Sequence, residues 1–152
     1  MKQYLLILSQ VLLLVFFITI ASCSSVANQK TKSETWILIS MNDNPLIEGS
    51  QITLILGDDT AYGSAGCNSY SSQIQINEDK VAITHIMNTE MACFEPEGIL
   101  LQENEYISLL HTVNRIHREN DILTLFKDDT PLLRYAYEPP IPTASLLGQA
   151  WI

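Results

Sequence analysis

Two aspartate pairs, three histidines and three cysteines are the side chains of this sequence best suited to chemistry. Asp58-Asp59 and Asp128-Asp129 could hold a hard cation or act as paired carboxylates. Each pair lies in an Asp-Asp-Thr turn between apolar runs, without the evenly spaced ligands of a calcium loop, and reads as turn chemistry. His85, His111 and His117 lack metal-ligand spacing, and His85 falls on the inward side of an alternating run, where packing explains it better than catalysis. Gly63 and Gly66 invite comparison with a phosphate loop, but no Lys or Ser/Thr follows at the required spacing. A tight bend beside Cys67, with Asn68 bonding side chain to backbone, is the plainer reading. The motifs Gly-x-Ser-x-Gly, His-Glu-x-x-His and Cys-x-x-Cys are absent from the sequence. The expectation is a protein that is not an enzyme and uses no metal or cofactor.

Cys23 has the most specific context. Lys2 supplies one positive charge, and Leu5 to Leu8 and Val11 to Ile20 form an apolar stretch interrupted by Ser9, Gln10 and Thr19. Ile20-Ala21-Ser22-Cys23 then resembles the lipobox of bacterial lipoproteins: an aliphatic residue, two small ones, and a thiol nucleophilic enough to form a thioether. Residues 1–22 therefore read as a lipoprotein signal peptide, Cys23 as the lipidated residue, carrying acyl chains such as palmitate, and residues 23–33 as a polar tether. The alternative is an uncleaved membrane helix, since Tyr4 to Ala21 approaches the spanning length, but no basic stop-transfer cluster follows. The expected location is the cell envelope, anchored by lipid. With Ser24 and no Asp after the cysteine, that is the outer membrane in a host that has one.

With the Cys23 thiol taken up in the thioether, Cys67 and Cys93 remain, an even pair in an exported domain, which reads as a disulfide; two buried free thiols are the alternative. The loop between them, 93 − 67 = 26 residues, would contribute about 3.5 kcal/mol by chain entropy. In a domain this small that could decide folding.

The elements that must position these residues are mostly strands. Thr35 to Ile39 around Trp36, Ile52 to Leu56 and Ala61 to Ser64 read as three, with loop residues at 42–45 and a turn at Gly57-Asp58-Asp59-Thr60. Asn68 to Ile76 sets Tyr70, Ser72, Ile74 and Ile76 on one face. After Asn77-Glu78-Asp79-Lys80, Val81 to Ile86 sets Val81, Ile83 and His85 against Ala82, Thr84 and Ile86. The period changes after Cys93. Pro96 suits a first helical position, Glu95, Glu97 and Glu103 suit the positive end of a helix dipole, and Ile99, Tyr106, Leu109 and Val113 recur at helical spacing, predicting a helix from Pro96 to Leu110. Val113 to His117, Ile122 to Phe126 and Leu132 to Tyr137 read as three closing strands. The expected fold class is α+β: a small β-rich domain, an antiparallel open sheet or partial barrel with one helix packed on it.

Gly66-Cys67-Asn68-Ser69-Tyr70, then Thr89-Glu90-Met91-Ala92-Cys93, then a helix bearing Glu103 resemble the META domain of HslJ-like envelope lipoproteins. The family pattern runs from a strand with tryptophan, here Trp36, through G-C-N-x-Y and T-x-M-A-C, to a helix with glutamate and a final pair of strands. The resemblance covers residues 34–138. It departs at the start, where the family's L-x-G-x-x-W would need Leu at Thr31 and Gly at Ser33. Leu146-x-Gly148-x-x-Trp151 fits that opening better and lies behind Pro139-Pro140-Ile141-Pro142, so residues 139–152 read as a proline linker with either the start of a second META-like repeat or a terminal strand or tail.

Charge narrows the partners. With 17 Asp and Glu against 8 Lys and Arg, the basic ones scattered, nucleic-acid binding is excluded. Two functions remain. One is a non-catalytic module that binds an envelope protein partner or supports the envelope under stress, as the resemblance implies; an exposed apolar patch or bare sheet edge would favour it. The other is a carrier of an apolar ligand within a partial barrel lined by Ile74, Ile76, Ile99, Tyr106 and Leu109, for which an ordinary filled core is the plainer reading.

Overall fold

The computed structural model describes residues 33–140. The expected signal peptide, Cys23, the expected tether apart from Ser33, and residues 141–152 with the expected repeat or tail lie outside the described residues. Eight strands follow one another: β1 (Glu34–Met41), β2 (Thr53–Leu56), β3 (Thr60–Ser64), β4 (Ser69–Asn77), β5 (Lys80–Asn88), β6 (Arg115–Glu119), β7 (Ile122–Lys127) and β8 (Thr130–Glu138). One helix, α1 (Ile99–Leu110), stands between β5 and β6. Tight connections make the meander possible. Three hairpins turn through two residues, and Glu78, Asn120 and Asp128 each take the positive φ that such loops demand.

Each strand pairs antiparallel with the next, and β1 pairs with β8 as well as β2, so the sheet closes into a ring. The seam between β5 and β6 is thin. Its one register pair is Lys80↔Arg115, held by Val81 N–H to the Asn114 carbonyl at 3.1 Å and Ile116 N–H to the Asp79 carbonyl at 2.8 Å. From Ala82 onward β5 has a strand partner on its β4 side alone, which makes this the partial barrel rather than the open sheet. Trp36, Leu54, Tyr106, Leu125, Leu133 and Tyr135 are completely buried and fill the interior. Ile74, Ile99 and Tyr106 join that core, whereas Ile76, near the end of β4, is 49% exposed.

Further sequence-based expectations change. The alternation of β5 fails at its midpoint because Thr84↔Gln73 is followed by Met87↔Ser71, placing two β5 residues opposite one of β4. His85, in this bulge with φ 53°, is turned out to solvent while Val81 and Ile83 stay buried. The helix also starts later than Pro96. Gly98, at φ 83°, occupies the N-cap position, so Glu95 and Glu97 precede the helix and its first turn holds no acidic residue. The buried stripe of α1 is Ile99, Gln102, Glu103, Tyr106 and Leu110. Two of those five are polar, and their partners define the site.

Candidate functional site

The β3–β4 turn, Ala65-Gly66-Cys67-Asn68, is closed by Ala65 N–H donating to the Asn68 carbonyl at 2.7 Å. Gly66 has φ 119°, and a Cβ there would stand 3.0 Å from Ile99 Cδ1, so a side chain would be both strained and crowded. Gly63 is not part of the bend. It lies within β3, where a Cβ would strike the Thr53 backbone.

Glu103 reaches this turn from α1 and is 4% exposed. Its Oε2 accepts from the backbone N–H groups of Asn68 (2.6 Å) and Cys67 (3.2 Å), and its Oε1 accepts from Asn68 Nδ2 (2.7 Å). Asn68, 2% exposed, in turn holds the segment after β5. Its Oδ1 accepts from Met91 N–H at 2.7 Å and Thr89 Oγ1–H at 2.8 Å, and its Nδ2 also donates to the Met91 carbonyl at 3.2 Å. Cys67 and Cys93 form a disulfide across the same junction, with Cα atoms 5.9 Å apart. Turn, loop and helix are thus fastened at one point by a buried carboxylate, an amide and a covalent bond. Hydrogen bonds to a charged group contribute about 1.5–3 kcal/mol each, so the fastening is strong.

Tyr70 and Tyr106 lie in the buried core. Tyr135 OH donates to Tyr106 OH at 3.1 Å, Tyr106 OH and Tyr70 OH are 2.8 Å apart, and Tyr70 OH donates to the Thr53 carbonyl at 3.1 Å. Burial above all, then the neighbouring phenols, pushes all three well above the ordinary value of 10.0. They stay protonated near neutral pH and serve as hydrogen-bond links, not bases. Trp36 stands outside this network. Its ring meets Tyr137 edge-on at 5.4 Å, with the Arg118 guanidinium 4.8 Å above it and Glu34 2.7 Å from that guanidinium.

The structure therefore gathers Gly66, Cys67, Asn68, Thr89, Met91, Cys93 and Glu103 at one junction, with Tyr70 and Trp36 both in the core away from it. Ala92, the remaining member of the pattern, is exposed on the loop. Asp128 behaves as a turn residue: its N–H donates to Asn114 Oδ1 and its Oδ1 accepts from Asn114 Nδ2, both at 2.8 Å. The three histidines are exposed and apart in the chain's elements: His85 on β5, His111 in the turn after α1 and His117 on β6.

Outside the junction the same loop presents apolar surface. Met91 is 57% exposed and Phe94 85% exposed, with Met87 on β5 and Leu101 on α1 also exposed. Sequence reading missed these because Phe94 and Leu101 have the residue types of a core, and exposure is decided by the fold. It missed Gln102 for the opposite reason, although its place three residues after Ile99 on the helix was the available signal.

A protein-family model described as "META domain" matches residues 29–138. No curated protein matches the chain. Among solved structures, an NMR structure of a protein from Burkholderia xenovorans superposes with a TM-score of 0.58 at 23% identity, covering 70% of this chain and 83% of that one. A second NMR structure gives 0.54 at 20% identity, covering 68% and 87%. These likenesses establish the shared fold.

Proposed function

Because the chain belongs to the META domain family, we propose that it is a non-catalytic envelope lipoprotein, anchored through acyl chains on Cys23, whose domain binds a protein partner or serves the envelope under stress. The anchor rests on the apolar run and the Ile20-Ala21-Ser22-Cys23 sequence. An outer-membrane position, in a host with one, rests on Ser24 alone.

One observation carries the binding role. The loop after β5 is held by a disulfide and by Asn68 at Met91, yet it turns Met91 and Phe94 toward solvent. Apolar groups gathered on a fixed surface mark contact sites. A loop already ordered costs less entropy to bind than a mobile one, so the junction serves the exposed surface. The carrier reading lacks comparable support, since large side chains occupy the interior.

A photoreactive residue at Phe94, activated in living cells, should give a discrete protein adduct that the same group at the 40%-exposed Tyr62 does not, and Met91→Asp should diminish it. Identical adducts from both positions, or none from Phe94, would remove the binding role. The anchor has its own test: the mature chain should begin at Cys23 and carry acyl mass on it, and Cys23→Ala should carry none; an unacylated Cys23 in the parent chain would remove the anchor.

A further inference from the structure

Beside that loop runs a groove of about 330 Å³ between the β1–β2 loop and α1, lined by Met41, Pro45, Ile47, Leu101, Gln102 and Glu105. Its walls are pinned at three points. Gln102 accepts from Ile47 N–H at 2.7 Å through Oε1 and donates to Ser50 Oγ at 2.8 Å through Nε2, while Asn42 Nδ2 donates to Glu105 Oε1 at 2.8 Å. Gly98 completes the floor, where a Cβ would lie 3.3 Å from Ile47 Cδ1. The groove is thus preformed, with Leu101 75% exposed on its rim.

The charged residues flanking its lining in sequence are acidic, while one exposed cation, Arg134, pairs with Ser40 on the neighbouring strand β8. Asp43, Glu48 and Glu97 are exposed beside lining residues, and Glu105 is itself in the wall. From Ser33 to Asn114 the sequence holds one Lys or Arg, and that residue, Lys80, belongs to a different surface with Asp79, Arg115 and Asp129. An apolar cleft edged by carboxylates complements apolar side chains flanked by cations. It repels anionic lipid, and it repels a second copy of a chain whose net charge is −9.

We propose that this groove docks a cationic amphipathic segment of a partner protein, an apolar side chain entering between Ile47 and Leu101 while Lys or Arg face Asp43, Glu48, Glu97 and Glu105. The proposal rests on the binding role above and gives its partner a chemistry. The full chain in zwitterionic detergent would be titrated with a short helical peptide of Leu, Phe and Lys, and with a twin in which Glu replaces every Lys. The Lys peptide should bind, moving amide resonances of residues 43–48 and 97–105. Leu101→Ser, and separately Glu48→Lys with Glu97→Lys, should each weaken it about tenfold, and added salt should weaken it further. These side chains are exposed, and an unchanged circular dichroism spectrum would establish that the variants fold. Equal binding of both peptides, shifts elsewhere, or affinity indifferent to both variants overturns the proposal. So does self-association through the groove, or binding to phosphatidylglycerol vesicles in place of the peptide. If Phe94 gives its adduct in cells while the groove ignores the Lys peptide, the partner's chemistry is wrong and the binding role stands; if both fail, both fall.

Discussion

Asn68 uses both ends of its amide, the NH₂ toward Glu103 and the oxygen toward Met91 N–H and Thr89 Oγ1. No isosteric residue can do this. Asn68→Asp would set a second carboxyl against Glu103 at the 2.7 Å now bridged by Nδ2–H, and ionised oxygens cannot donate to one another. We expect a loss of about 3 kcal/mol at neutral pH by chemical denaturation. A variant as stable as the parent at neutral pH would show that the amide's direction does not matter. The sequence pattern singles out Asn68 and Glu103, but it cannot say that residues 35 apart touch. That contact depends on α1 reaching back to the β3–β4 turn.

The tyrosine chain joins three elements, Tyr70 on β4, Tyr106 on α1 and Tyr135 on β8. Its response to pH follows from the raised proton affinities of all three phenols. Below about pH 10, folded and unfolded chains both keep these protons, and stability is independent of them. Above it, the unfolded chain releases protons that the folded one retains, so stability falls as pH rises. In an alkaline titration the tyrosinate absorbance of these three should appear together with the loss of near-ultraviolet circular dichroism. Full tyrosinate absorbance in a still-folded protein would contradict the arrangement. At this scale the sequence was informative wherever period and turn residues agreed, as in β4, where Tyr70, Ser72 and Ile74 do face inward. It misled at His85, because one extra residue in a strand reverses every later side chain, and at Pro96, because Gly98 takes the capping position.

Ring closure belongs to the whole molecule. Nothing in the period of β1 or β8 reveals that they pair, since pairing across the full length of a domain depends on twist and register accumulated around all eight strands. The disulfide, by contrast, was legible from cysteine parity and export context. Replacing it by Cys67→Ser with Cys93→Ser should lower stability by about 3.5 kcal/mol, measured by denaturant titration under non-reducing conditions. No change in the midpoint would mean that the buried Asn68–Glu103 contact alone holds the junction. The same bond encloses the entire β4–β5 hairpin, with its exposed tip at Glu78-Asp79, inside a covalent circle. A protease that cuts anywhere between the two cysteines therefore makes a new pair of ends without making two molecules. In an oxidising compartment the cut protein stays attached to itself, and the lesion becomes a separation only when a reductant arrives.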